Sequence, residues 1–106
     1  MIVTTTDNIE GKKITKVFGM VRGSSVRARA VGRDITAFIR NLVGGELPEY
    51  TRLMSESREI AVQRMTGQAE ELGASAVVAT RFTTSSIMSG AAEILVYGTA
   101  VIVEDE

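Results

Sequence analysis

Between Glu93 and Val103 the chain is apolar on both sides of an extended strand. Ile94, Val96, Ala100 and Ile102 share one face, while Leu95, Tyr97, Val101 and Val103 share the other. Ala76 to Thr83 is a second compact apolar segment. Strands that are apolar on both faces belong in a sheet covered on both faces, so these segments call for two covers. Upstream, Ile2 to Thr6 is rich in β-branched residues and stops at the turn pair Asp7-Asn8. Lys13 to Val21 alternates, Gly23-Ser24-Ser25 interrupts it as a bulge or a turn, and Val26, Ala28 and Ala30 then alternate with Arg27 and Arg29.

From Gly32 the period lengthens. Asp34 is placed to cap a short helix carrying Ile35, Phe38, Ile39 and Leu42 at three- and four-residue spacings, ended by Gly44-Gly45. Pro48 suits the first turn of a longer helix that runs to Gly73, about seven turns at 3.6 residues each. Its stripe of Tyr50, Leu53, Met54, Ala61, Met65 and Leu72 is interrupted by Ser57, Arg64 and Gln68. A buried arginine or glutamine needs partners, so part of this face is expected to meet another subunit or line a wet groove. Thr84 to Gly90 reads as a loop. The order is β-β-α-α-β-β: an α+β subunit, one domain over 1–106, with a mixed or antiparallel sheet packed by two helices.

A chain of 106 residues is too short to wrap its own sheet on both sides. Identical neighbours are the economical second cover. Composition then narrows the chemistry. With no cysteine and no histidine there are no disulfides, thiolate or imidazole metal sites, or thiol nucleophiles, and the commonest general base is missing. No remaining group pairs with a nucleophile at a recognisable spacing, so neither an enzyme nor a cofactor site is expected. No signal peptide or membrane-spanning run is visible, which makes the cytoplasm the expected compartment. The net charge of −1 hides a bipolar chain. Lys12, Lys13, Lys16, Arg22, Arg27, Arg29, Arg33 and Arg40 face the single acid Asp34 in 12–40, and carboxylates outnumber arginines beyond residue 41. A net negative chain is not expected to bind nucleic acid; the two halves are instead suited to meet across subunits.

Ile9-Glu10-Gly11, Arg33-Asp34, Ile39-Arg40, Val43-Gly44-Gly45, Tyr50, Arg58-Glu59, Leu72-Gly73-Ala74, Ala76-Val77-Val78 and Gly98-Thr99-Ala100-Val101 together resemble the YbjQ-like family of small domains. The resemblance implies a homopentamer in which strands of five subunits contribute to a central barrel-like body, so that neighbours cover the second face of the closing strand. The family's label is heavy-metal binding. This sequence lacks His and Cys, and Arg81-Phe82-Thr83-Thr84-Ser85 places an arginine and hydroxyls where members often carry acidic side chains, leaving only hard cations on carboxylates. No metal ligand is therefore assigned.

The working expectation is a ring-forming module that binds a ligand or metal between subunits. The alternatives are a purely structural ring and an anion-binding protein using Arg22, Arg27 and Arg29. The residues placed to touch a small anionic ligand are Arg22, Arg27, Arg29, Arg81 and Tyr97. For the first three arginines the favoured reading is intersubunit pairs with Glu56, Glu59, Glu70 or Glu71. Arg58 is expected to hold the long helix to the sheet, and Gly98 to permit a close backbone approach or a bulge.

Overall fold

The apolar and β-branched runs form one mixed sheet of four strands: β1 (Ile2–Val3), β2 (Lys12–Ala28), β3 (Ala76–Met88) and β4 (Ala91–Asp105), in the order β1-β3-β4-β2. The computed structural model describes residues 1–28, 48–88 and 91–106. The short helix expected from Asp34 to Leu42 lies outside the described residues, as does Arg29. β1 runs parallel to β3, and β4 is antiparallel to both β3 and β2. The chain stays against β3 after β1: Thr4 N donates to Val77 O, Thr80 N to Thr4 O and Ala79 N to Thr6 O.

The one helix among the described residues, α1 (Pro48–Leu72), starts at the expected proline. It ends where Gly73 takes a φ of 89°. Gly73 N donates to Glu70 O and Ala74 N to Ala69 O, which satisfies the last carbonyls of the helix in a Schellman arrangement. α1 packs on one face of the sheet, where Ala61, Met65 and Ala69 close on Val21, Val77, Ile94, Val96 and Ala100, all buried. Leu72, expected in the apolar stripe, is exposed instead.

On the opposite face a second, smaller cluster of Ala76, Val78 and Val101 is flanked by Ile9, Ile14 and Val103. Both faces of β4 thus carry core, as its pattern requires. The second core reaches only the Val101 end of the strand. Toward the other end Tyr97 is 37% exposed, and on β2 Val17 and Met20 are 62% and 66% exposed.

Two expectations need correction. Gly23-Ser24-Ser25 is neither a turn nor a bulge: β2 runs through it in continuous register with Val96, Leu95 and Ile94. The small residues make room for α1, as described below. The irregularities of β2 lie instead between Ile14 and Lys16 and between Val17 and Gly19. Thr84 to Ser86 is likewise strand and not loop, paired with Ile94, Glu93 and Ala92, as suits its β-branched threonine and small serines on a long hairpin.

The resulting plate measures 55 × 25 × 16 Å, with a radius of gyration of 17.3 Å. Its long axis matches β2, since seventeen residues at about 3.3 Å each extend about 56 Å. A compact chain of this length would have a radius near 13 Å, as an order-of-magnitude expectation.

Candidate functional site

The seat of α1 explains the polar residues in its stripe. A Cβ on Gly23 would fall on the Ala61 carbonyl oxygen and 2.5 Å from Met65 N, so only glycine lets the helix backbone lie this close to β2. At that distance two side chains reach the outer edge of the strand. Arg22 N donates to Gln68 Oε1 at 2.8 Å, and Arg64 Nη1 donates to Ser24 O at 2.6 Å. Where another subunit or a wet groove is expected for Arg64 and Gln68, the described residues give each a partner within the chain: both bond β2, the edge strand of the described sheet. Arg58, expected to hold helix to sheet, instead donates to Ser55 Oγ on its own helix at 3.1 Å. Arg64 performs that task. Ser57, the third polar residue of the stripe, is 1% exposed, and its hydroxyl has no hydrogen-bond partner among the described residues.

The sheet face away from α1 collects three of the five expected ligand residues. Tyr97 of β4 pairs with Arg22 of β2 on one side and with Arg81 of β3 on the other. Directly opposed residues of antiparallel strands point to the same face, so the three form one cross-strand row. Arg27 pairs through its backbone with Ala92, five positions along β2 from Arg22; its side chain and all of Arg29 lie outside the described residues.

The row depends on an irregularity in β3. Thr99 pairs with Val78 and Tyr97 with Arg81, so Ala79 and Thr80 together oppose Gly98. Ala79 takes a φ of 53°, in the left-handed region usually left to glycine. Gly98 is indeed a close approach beside a bulge: a Cβ there would lie 2.6 Å from Val77 Cγ1 and 3.0 Å from Val78 O. Thr80 is buried, and its hydroxyl has no partner among the described residues. Arg81 Nη1 donates to Thr5 O at 2.8 Å and to Thr80 O at 2.9 Å, which fixes one edge of its guanidinium against backbone. Nothing in the alternation of Ala76 to Thr83 signals the bulge, and sequence reading missed Ala79 for that reason.

Among the described residues the one ion pair is Lys12 with Asp105, 2.6 Å apart where β2 and β4 meet at their ends. The Lys12 hydrogen bond, and then its charge, hold the Asp105 carboxyl below the usual aspartate range. No described carboxylate lies within ion-pair distance of Arg22 or Arg81.

A helix on one face of a mixed four-stranded sheet, with a basic cross-strand row on the other, defines a small α+β domain in which, among the described residues, one face of the sheet is half open. The chain belongs to the family described as "Putative heavy-metal-binding", which matches residues 1–104. It is 55% identical over 106 residues to a UPF0145 protein of Clostridioides difficile (strain 630), covering 100% of this chain and 95% of that one. A UPF0145 protein of Methanosarcina acetivorans is 56% identical over 101 residues, 95% of each chain. One from Thermus thermophilus is 51% identical over 104 residues, 98% of this chain and 91% of that one. The crystal structure of a protein of unknown function from Pediococcus pentosaceus, of the DUF74 family, superposes with a TM-score of 0.70 over 98% of both chains; at 17% identity it speaks for the fold alone.

The side chains of this chain do not fit a heavy-metal site. Such ions favour thiolate and imidazole, and the sequence has neither. Among the described residues, no three acidic side chains gather where an ion could be held.

Proposed function

We propose that the protein is a non-catalytic binding module that works as a closed homo-oligomer, with its ligand sites on the sheet face that α1 leaves open. The observation that carries this reading is the apolar surface of that face: Val17, Met20, Val26 and Tyr97 are all exposed on strands. A second copy against this face would remove it from water, which is the usual meaning of a large exposed apolar area. The YbjQ-like resemblance implies five copies, and a ring requires two different surfaces of one chain to meet. Neither the donor set nor the geometry supports a metal as the ligand, so the module is read as binding through its arginines and tyrosine.

Light scattering after size exclusion tests the assembly. The expected mass is a single multiple of 11.4 kDa, five-fold for a pentamer. A monodisperse monomer at micromolar concentration would overturn the oligomeric reading.

A further inference from the structure

We propose that Arg22, Tyr97 and Arg81 form a binding site for a phosphoryl group, either free phosphate or a phosphate ester. This rests on the reading of the open sheet face as a binding surface. The register places Tyr97 between the two arginines, one on each neighbouring strand. With strands about 4.8 Å apart, the two arginine backbones stand about 10 Å from one another with Tyr97 between them; Arg81 leans toward Thr5 on the β1 side of β3, so Arg22 and Tyr97 are the nearer pair and Arg81 closes the row from its far side. The guanidinium fork suits phosphate oxygens, and the tyrosine hydroxyl adds a donor at the centre. Ser24 and Thr83 occupy the next row on the same face, both opposite Leu95, and bring two more hydroxyls alongside.

The bulge gives the strongest support. Were β3 regular beyond Val78, Thr80 would oppose Tyr97 and Arg81 would oppose Val96, on the face that α1 covers. The inserted residue turns Arg81 onto the open face, and it does so through an alanine at a φ of 53°. A strained position that re-aims one side chain is the pattern found beside functional sites. Arg81 is then anchored through Nη1 alone, to Thr5 O and Thr80 O, which leaves Nη2 for a ligand. Two cations without a described carboxylate within ion-pair distance match a dianion better than a single carboxylate, which would balance only one of them.

The test is isothermal titration of the full chain at low salt with inorganic phosphate and, separately, with phenyl phosphate, acetate serving as the singly charged control. Wild type, Arg22→Gln, Arg81→Gln and Tyr97→Phe are compared, with the mass of each measured by light scattering. Saturable binding of either phosphate probe that exceeds acetate and weakens about tenfold or more in Arg22→Gln supports the site. Preference for phenyl phosphate identifies an ester, and equal binding identifies the free anion. Arg22→Gln is the decisive variant if Arg81→Gln fails to fold, because no hydrogen bond of the Arg22 side chain holds the described fold together. Absence of binding in the wild type, or binding unmoved by the substitutions, overturns the site whatever the oligomeric state. Oligomers that fall apart on Arg22→Gln, with no phosphate bound by the wild type, assign the row to carboxylates of a second copy and overturn it as well. A wild-type monomer that binds phosphate through these residues retains this proposal and discards the oligomer.

Discussion

Gly23→Ala is a one-carbon change directed at the seat of α1. The new Cβ would stand 2.5 Å from Met65 N and closer still to the Ala61 carbonyl oxygen, both backbone atoms of a helix and unable to rotate away. Ordinary carbon contacts lie near 3.5 Å, so α1 has to retreat by about 1 Å. The bond from Arg22 N to Gln68 Oε1 would lengthen from 2.8 Å and that from Arg64 to Ser24 O from 2.6 Å, both beyond useful hydrogen-bond distance. Overpacking of this kind costs about 1–3 kcal/mol. The two bonds are exposed and water replaces them in part, so each adds about 0.5–1 kcal/mol. The total of about 2–5 kcal/mol is a large share of the roughly 5–15 kcal/mol that holds a domain together. Chemical denaturation at fixed protein concentration reads it, with concentration held because association feeds into apparent stability. Gly67→Ala is the control: it lies on α1 with nothing within 4 Å of a new Cβ. It should stabilise by about 0.5–1 kcal/mol through helix propensity. A Gly23→Ala protein within about 1 kcal/mol of wild type would refute the claim that the helix seat depends on this glycine.

Ala79→Gly should raise stability by about 0.5–1 kcal/mol in the same assay, because φ at this residue is 53° and glycine adopts that region without the Cβ clash; a loss of similar size would show that the bulge is unstrained. Lys12→Met should raise the Asp105 pKa toward the usual range, read by carboxyl-carbon NMR, since Lys12 is what holds it down. As the folded value is the depressed one, the pair contributes stability above the usual aspartate range and loses it as pH falls through the lowered value; an Asp105 titration unmoved by Lys12→Met would contradict the pairing. Zinc, copper and cadmium should show no stoichiometric binding by metal analysis of protein purified without an affinity tag, given a donor set without thiolate or imidazole. One tightly held ion per chain would show that carboxylates and hydroxyls suffice.

The two-faced pattern of β4 was legible because burial on each side leaves its own alternating set, and both sets form separate clusters around Ala100 and Val101. The long helix was legible for a different reason: Pro48 and Gly73 are punctuation with a stereochemical basis. What failed was context. Gly23-Ser24-Ser25 looks like a break by propensity, yet the same small residues are what a strand needs where a helix backbone lies against it. Arg64 and Gln68 were rightly read as needing partners. The sequence cannot show that those partners are backbone groups of β2, since a carbonyl or an amide leaves no complementary residue type to find. A neighbouring subunit was therefore the simplest answer. The residue types of Arg22, Tyr97 and Arg81 are visible in the sequence but their row is not, because register is invisible until strands pair.

The bulge at Ala79 and Thr80 links these features. A sheet strand has period two, so one inserted residue inverts the face of everything after it. Up to Val78, β3 sends Val77 into the core under α1 and Ala76 and Val78 into the smaller core, and an uninterrupted strand would continue with Arg81 on the helix side. On that side Val96 of β4 is wholly buried under α1, while the β3 position opposite it, taken by Phe82, is 49% exposed. The inserted residue sends Arg81 to the open face, where Thr5 O and Thr80 O receive it, and puts Phe82 on the helix side opposite Val96. The left-handed alanine and the Thr80 hydroxyl, which has no partner among the described residues, are local costs of that inversion. The basic row on the open face thus exists only through the one inserted residue in β3.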